Sequence, residues 1–180
     1  MTGGQWLPAT VTERPTMDVG IRRRFRRLRR LVIEVEGVLT DGSVYWGPRG
    51  EAFKRFHRPD WVGLSILLKQ GTEVILLAED GRAVIEDHAG RFGLTDVRDL
   101  PQDRLAFLNE LQDKGPIDLD ATAYMAADAD ALAVSTGVGL FIVPANASLV
   151  LAPQAHYVTT VPGGSGAVRE VVEVTLGNLA

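Results

Sequence analysis

The chain contains 180 residues, of which 46% are hydrophobic, and it carries a formal net charge of -4. This length and composition predict one domain with a substantial core and argue against two domains. The sequence has no cysteine and only three, widely separated histidines. Disulfides, thiolate metal sites and a cysteine nucleophile are therefore excluded, and any metal would need carboxylate ligands.

The distribution of apolar and basic residues bears on location and partners. No apolar run approaches the ~20 residues that span a membrane, and the polar, proline-containing start lacks the apolar stretch of a signal peptide. We therefore expect a cytoplasmic protein without a transmembrane segment. Seven of the 19 basic residues lie between Arg22 and Arg30, which leaves a charge of about -11 on the rest of the chain. The expected molecule has an acidic body and one basic end.

The first elements expected along the chain are a flexible leader and a helix. Residues 1–20 contain Gly, Pro and Thr without a clear period, and a single domain is expected over 21–180. An arginine-rich helix is predicted over 21–30, because the apolar residues of this segment recur at helical spacing. They are Ile21, Phe25, Leu28 and Val32.

Beyond this helix, short apolar runs alternate with helical patterns, which predicts an α/β fold with a parallel sheet flanked by helices. The central strands are expected at Leu31–Val35, Val74–Ala78, Ala121–Ala126 and Val138–Val143. The helices between them are expected at Trp61–Gln70, Arg82–Phe92, Gln102–Lys114 and Ala129–Thr136. A β-hairpin is predicted over 43–56, and the glycine-rich loop Pro162–Gly166 precedes a last helix at Ala167–Leu176.

The segment Leu31–Gly42 is an apolar run that ends in Glu34-Val35-Glu36 and continues Gly-Val-Leu-Thr-Asp-Gly. It resembles the first motif of the haloacid-dehalogenase (HAD) superfamily, in particular of phosphatases acting on 3-deoxy-manno-octulosonate 8-phosphate. The resemblance extends to Leu176 through the segments Phe56–Asp60, Glu86–Ala89, Ala155–Thr159 and Gly163–Glu170. It implies a cap-less, Rossmann-like HAD domain with helices on both faces of a parallel sheet, a site at the carboxyl ends of the strands and a protruding β-hairpin.

The resemblance also implies roles for two carboxylates. In the family both are Asp, the first attacking phosphorus and the second transferring the leaving-group proton; here they are Glu34 and Glu36. Each Glu carries an extra methylene, which moves its oxygens by roughly 1 Å, and a displacement of that order can cost about 100-fold in rate.

Three further motif positions differ from the family pattern. The hydroxyl residue of the second motif aligns with Ala78, and the lysine of the third with Arg104. The metal-binding Asp of the fourth motif aligns with Ala127, followed by Asp128. We expect no cofactor, or Mg²⁺ held weakly by Glu34 and Asp128. Two simpler interpretations remain open: Arg104 as a surface residue paired with a local carboxylate, and Asp128 as a loop or helix-capping residue.

These departures together favour a pseudophosphatase, a HAD-like protein retained for scaffolding, regulation or the binding of a ligand or partner. The alternative is a slow Mg²⁺-dependent phosphatase acting on a sugar-acid phosphate such as 3-deoxy-manno-octulosonate 8-phosphate. An unrelated use of the pocket is a third possibility. The resemblance also implies that Asp60 and Arg169 bind substrate.

Assembly and partner binding are predicted from two surface segments. The resemblance implies a homotetramer in which hairpins meet centrally and the tail of one subunit approaches the site of a neighbour. The hairpin residues Trp46, Phe53 and Phe56 are the expected interface or the core of the hairpin, and a platform for a ligand is the less favoured alternative. An anionic or protein partner is expected on Arg23, Arg26, Arg27 and Arg30, although the cluster could equally be a solvated helix face.

Overall fold

The computed structural model describes residues 17–48 and 50–179, so residues 1–16 of the expected leader lie outside the described residues. The strands in the described part are β1 Arg30–Glu34, β2 Tyr45–Gly47, β3 Gly50–Phe53, β4 Glu73–Ala78, β5 Val97–Asp99, β6 Thr122–Met125, β7 Leu140–Val143 and β8 Tyr157–Val158. Six of them form one parallel sheet in the order β5-β4-β1-β6-β7-β8. The remaining two, β2 and β3, pair antiparallel as the predicted hairpin.

The helices lie on both sides of this sheet. They are α1 Val19–Arg26, α2 Arg58–Lys69, α3 Arg82–Gly90, α4 Arg104–Lys114 and α5 Ala167–Leu179, with a 3-10 helix at Ala129–Thr136. No helix in the described ranges is both long and apolar enough to cross a membrane.

The alternating direction of the side chains along β1 explains why helices cover both faces of the sheet. Leu31 and Ile33 point into a core shared with α1, α2, α3 and α5, whereas Val32 points into a second core shared with α4 and the 3-10 helix. Successive residues of a strand face opposite sides, so a strand that is apolar throughout needs helices on both sides. The α/β, Rossmann-like fold predicted from the sequence is confirmed.

The arginine-rich segment differs from its prediction. The helix runs over Val19–Arg26 rather than 21–30, and Phe25 and Leu28 are buried as the apolar pattern required. The chain then enters the sheet, because the Arg29 N–H donates to the Ala121 carbonyl at 2.8 Å and Arg30 is the first residue of β1. Pairing with the neighbouring strand therefore takes precedence over helical periodicity at the end of this segment.

Candidate functional site

The first motif forms a tight turn at the carboxyl edge of the sheet. Glu34 ends β1, and the chain turns over Val35–Leu39 with Gly37 at a φ of 72°. A side chain at Gly37 would collide with Ala127, because an ideal Cβ there lies 2.8 Å from the Ala127 Cβ. The Thr40 hydroxyl accepts the N–H groups of Gly37 at 3.1 Å and Gly42 at 3.2 Å. The turn therefore depends on glycine and is held by Thr40.

The glycine-rich loop packs on this turn. The Gly164 N–H donates to the Val38 carbonyl at 2.9 Å, and a Cβ at Gly163 would lie only 1.9 Å from the Gly37 carbonyl oxygen. Glycine is required at Gly163 because two backbones approach this closely. This glycine-rich loop therefore contacts the first motif of its own chain.

Glu34 lies in a buried network of charged and polar side chains. One of its oxygens, Oε1, accepts hydrogen bonds from Arg104 Nε at 2.5 Å and from the Tyr124 hydroxyl at 2.7 Å. The Arg104 Nη2 also contacts Asp130 Oδ2 at 2.9 Å. Glu34 is 4% exposed and Arg104 is 8% exposed. The guanidinium is thus largely buried between two carboxylates, rather than a surface residue with a local partner.

Burial and pairing act on the pKa values of this network in opposite directions. Burial raises the pKa of Glu34 above its ordinary value, and the hydrogen bonds from Arg104 and Tyr124 partly offset that increase. Burial would lower the pKa of Arg104, but its hydrogen bond to Glu34 and the charges of Glu34 and Asp130 raise the pKa overall. The pKa of Tyr124 rises through burial and the adjacent Glu34 charge. The tyrosine and arginine therefore keep their protons and remain donors to Glu34.

Glu36 forms a second contact group at the same edge. Its Oε1 contacts Lys54 Nζ at 2.5 Å, and its Oε2 accepts the Glu79 N–H at 3.0 Å. Lys54 also donates to the Asp80 carbonyl at 2.8 Å. Glu36 thereby links the hairpin to the loop after β4, and a proton donor at this position would first have to separate from a lysine.

The second- and fourth-motif positions carry no group that could bind phosphate or metal. Ala78 ends β4 and Ala127 follows β6, and both are buried. Asp128 is exposed at the start of the 3-10 helix and its side chain makes no capping hydrogen bond. Asp128 therefore occupies the N-cap position of this helix through its backbone, without a side-chain cap.

The residues at this edge do not fit a Mg²⁺ ion. Mg²⁺ is bound through carboxylate oxygens in near-octahedral geometry. The oxygen Oε1 of Glu34 is engaged by Arg104 and Tyr124, and the fourth motif supplies the methyl group of Ala127. Within residues 17–48 and 50–179, no three His, Cys, Asp or Glu side chains converge on a position that could hold a metal.

The two substrate-binding candidates, Asp60 and Arg169, meet at the start of α5. Asp60 is fully buried, and its Oδ1 accepts the Arg169 N–H at the start of α5 at 2.7 Å. The Arg169 side chain pairs instead with Glu173 at 2.7 Å. Asp60 therefore anchors α5, and its carboxylate is not accessible to a substrate in this arrangement.

The aromatic interface candidates occupy different environments. Phe53, at the end of β3, is 72% exposed. Phe56 is half-buried, with its ring edge-on to Trp61 at 5.2 Å and stacked on His88 at 5.2 Å. Trp46 lies in β2, and its side chain is outside the described part of the structure. Phe56 is thus part of an internal aromatic cluster, and Phe53 remains the surface candidate.

Arg30 does not belong to the anion-binding surface that the sequence predicted. Its side chain is 2% exposed and pairs with Glu73 at 3.1 Å. It also donates to the Ile117 carbonyl at 3.2 Å. The other three candidates, Arg23, Arg26 and Arg27, are exposed.

Sequence reasoning missed three residues of the site: Tyr124, Asp130 and Lys54. Tyr124 was recognisable as the one aromatic residue in the predicted strand Ala121–Ala126. Asp130 follows the fourth motif within two residues of Asp128. Lys54 carried no local signal, because its contact with Glu36 depends on how the hairpin folds back.

The fold and the position of the site define a class of protein, the phosphatase-type domain of the HAD superfamily. No family model matches the chain. A 3-deoxy-D-manno-octulosonate 8-phosphate phosphatase from Yersinia pestis is 34% identical over 162 residues, covering 90% of this chain and 86% of the relative. This protein belongs to the family of 3-deoxy-D-manno-octulosonate 8-phosphate phosphatases.

Solved structures agree with that assignment. The crystal structure of the phosphatase from Yersinia pestis superposes with a TM-score of 0.84 at 32% identity, covering 89% of this chain and 87% of that chain. The enzyme from Moraxella catarrhalis, crystallised with magnesium, phosphate and a KDO molecule, gives 0.82 at 28% identity, with coverages of 88% and 91%. One related protein of this fold has thus been crystallised with magnesium and phosphate.

Proposed function

We propose that this protein is a pseudophosphatase: a member of the phosphatase family that retains the fold for assembly or partner binding and has lost efficient phosphoryl transfer. The observation that carries the proposal is the pairing of Glu34, at the nucleophile position, with the buried guanidinium of Arg104. A nucleophile must be free to reach phosphorus in line, and the oxygen Oε1 already accepts two hydrogen bonds.

Electrostatics at the carboxyl edge support the same proposal. Six carboxylates lie at this edge, against the two cations Arg104 and Lys54. The carboxylates are those of Glu34, Glu36, Glu79, Asp80, Asp128 and Asp130. Phosphoryl transfer requires cations that neutralise the phosphate oxygens. An excess of carboxylates without a strong metal ligand at Ala127 repels a phosphate ester.

A second candidate is a slow Mg²⁺-dependent phosphatase on a sugar-acid phosphate such as 3-deoxy-D-manno-octulosonate 8-phosphate. The names of the relatives support this candidate, and taken alone they favour it over a loss of activity. Both carboxylates of the first motif are retained as Glu, and Arg104 retains the charge of the third motif. A low residual rate is compatible with these groups.

Restoring the family residues distinguishes the two candidates. The variants are Glu34→Asp, Glu36→Asp, Ala78→Thr, Arg104→Lys and Ala127→Asp, made singly and together. We expect Mg²⁺-dependent hydrolysis of 3-deoxy-D-manno-octulosonate 8-phosphate to be at background in the wild type and to rise only when all five changes are combined, because residues that act as a unit are non-additive. Phosphate release is the measurement, and an aryl phosphate is the substrate control.

Two results would contradict the pseudophosphatase proposal. One is wild-type turnover near that of ordinary enzymes, around 1 per second or more. The other is full activity from Glu34→Asp alone, which would make the remaining departures harmless. Circular dichroism of each variant checks that a lack of activity does not reflect unfolding.

We also propose that the protein assembles as a homotetramer in the cytoplasm. The exposed apolar residues Val44, Tyr45 and Phe53 of the hairpin support an interface there, with Phe53 contributing most surface. Light scattering should give about four times the 19.5 kDa chain mass. Phe53→Ser should reduce that mass, whereas Val84→Ser, at another exposed apolar residue, should not. A wild-type monomer at micromolar concentration would contradict this proposal.

A further inference from the structure

Six exposed arginines lie in and just after α1, and we call them the arginine patch: Arg22, Arg23, Arg24, Arg26, Arg27 and Arg29. The apolar residues of the same segment, Phe25 and Leu28, are buried at 0% and 5% exposure. Between Arg22 and Arg29 the surface therefore consists of arginine side chains alone.

The charges of the arginine patch are almost uncompensated. Among the described residues, the one carboxylate within 4 Å of the patch is Asp120, at 3.7 Å from Arg27 and itself 72% exposed. Neutral backbone carbonyls accept hydrogen bonds from three of the others: Arg22 to Met17 at 3.0 Å, Arg24 to Gly139, and Arg26 to Asn178 at 3.1 Å. Such acceptors orient a guanidinium without cancelling its charge.

Exposed arginines elsewhere are paired differently. Four of them each contact a carboxylate within 3.0 Å: Arg55 with Asp41, Arg82 with Glu86, Arg91 with Asp87, and Arg169 with Glu173. Among the described residues, four of the five other exposed arginines are thus neutralised locally, and Arg58 alone has no such partner. The patch differs because it gathers six exposed arginines in one segment, where neighbouring like charges on a helix cost a few tenths of a kcal/mol per pair.

The arginine patch lies at the opposite end of the sheet from Glu34. Arg29 donates its N–H to Ala121, just before β6, and Arg24 contacts Gly139, just before β7. Both contacts are at the amino ends of parallel strands, whereas Glu34 is at the carboxyl end of β1. A partner on the patch would therefore leave the candidate site uncovered.

We propose that the arginine patch binds the phosphate backbone of nucleic acid without sequence preference. A protein interface or a membrane-bound helix requires apolar residues beside the charges, to be buried in the partner or the bilayer. The patch exposes none between Arg22 and Arg29; the adjacent Ile21 is half-buried, and Val19 is the nearest fully exposed apolar residue of α1. Charge and hydrogen-bond donors alone are what backbone recognition uses.

Binding of a fluorescently labelled DNA duplex of arbitrary sequence, measured by anisotropy, tests the proposal. With four to six phosphates contacted, we expect the logarithm of the affinity to fall with the logarithm of salt concentration at a slope of about -4 to -5. The variant Arg23→Gln, Arg26→Gln, Arg27→Gln, Arg29→Gln retains Arg24 and the buried Arg30. It should bind at least ~10-fold more weakly and with a shallower slope.

A matched variant with the same change in net charge is Arg55→Gln, Arg82→Gln, Arg91→Gln, Arg169→Gln. We expect its affinity to stay within about 3-fold of the wild type, because these arginines are already paired. Equal losses in the two variants would overturn the proposal by assigning binding to overall charge. Thermal unfolding of both variants verifies that they are folded.

Other outcomes also decide the question. A wild type that does not bind the duplex at the lowest salt would overturn the proposal. Binding to phosphatidylglycerol vesicles but not to the duplex would overturn it in favour of a lipid surface. Patch-dependent self-association in light scattering, without duplex binding, would overturn it in favour of the acidic body of a second copy.

Discussion

Arginine side chains have opposite environments at the two ends of the sheet. At the carboxyl end, Arg104 is buried against Glu34 and Asp130, so the cation at the third-motif position is satisfied inside the protein. At the amino end, the arginine patch projects from the surface with Asp120 as its one nearby carboxylate among the described residues. A charge engaged internally contributes to the fold, and one left without a partner is available to a ligand.

The largest expected effect comes from breaking the internal pairing. Arg104→Ala would leave the buried Glu34 with only the Tyr124 hydroxyl, and removing one partner of a buried ion pair typically costs about 3 kcal/mol or more. Urea unfolding should therefore show a large loss of stability. The matched variant Arg23→Ala, in the patch, should change the free energy of unfolding by no more than about 0.5 kcal/mol.

A double variant sharpens that comparison. Replacing both partners by apolar residues, Glu34→Leu with Arg104→Met, should destabilise less than Arg104→Ala alone, because no charge is left buried without a counterion. If Arg104→Ala and Arg23→Ala unfolded at the same urea concentration, the pairing at the carboxyl end would contribute nothing and the contrast between the two ends would be lost.

A smaller effect concerns Asp60, which with Glu34 is one of two buried carboxylates among the described residues. Burial raises the pKa of Asp60 above its ordinary value of 3.8, although the Arg169 N–H and His57 act against the increase. A carboxyl group whose pKa is raised in the folded state stabilises the fold most at pH values below its unfolded-state pKa. That stabilisation is lost as pH rises through the folded-state pKa. Asp60→Asn should abolish this loss of stability with rising pH, and its side-chain oxygen can still accept the Arg169 N–H.

The measurement is the free energy of unfolding across the acidic range above pH 3.8. Relative to the wild type, Asp60→Asn should become more stable as pH rises. Asp87→Asn, an exposed carboxylate paired with Arg91, serves as the control and should show no gain with pH. A constant difference between Asp60→Asn and the wild type would contradict the raised pKa.

Local sequence patterns predicted much of this architecture. The four central strands and the five α-helices follow from apolar runs and helical periodicity, with ends displaced by a few residues. The edge strands β5 and β8 escaped prediction because three and two residues carry too little pattern. Arg30 was misassigned because helical spacing continued into a segment that pairs with the sheet.

The partners of the site could not be read from the sequence for a different reason. Along the chain, Glu34 is 70 residues from Arg104 and 90 residues from Tyr124. The order of the strands in the sheet brings these residues into contact. The resemblance located Glu34 and Arg104 individually, and the tertiary structure determines that they neutralise each other. The burial of Asp60 and its hydrogen bond with the Arg169 N–H likewise depend on the packing of α5.

Single-turnover hydrolysis tests the central claim most directly. In this experiment the protein is in excess over radiolabelled 3-deoxy-D-manno-octulosonate 8-phosphate, and Mg²⁺ is saturating. The wild type should release phosphate no faster than buffer alone, whereas the variant that combines all five restoring substitutions should release it measurably. Excess protein removes product release as a limit, so even slow chemistry would be detected. Release by the wild type above the buffer rate, abolished by Glu34→Gln, would contradict the account and identify a slow phosphatase.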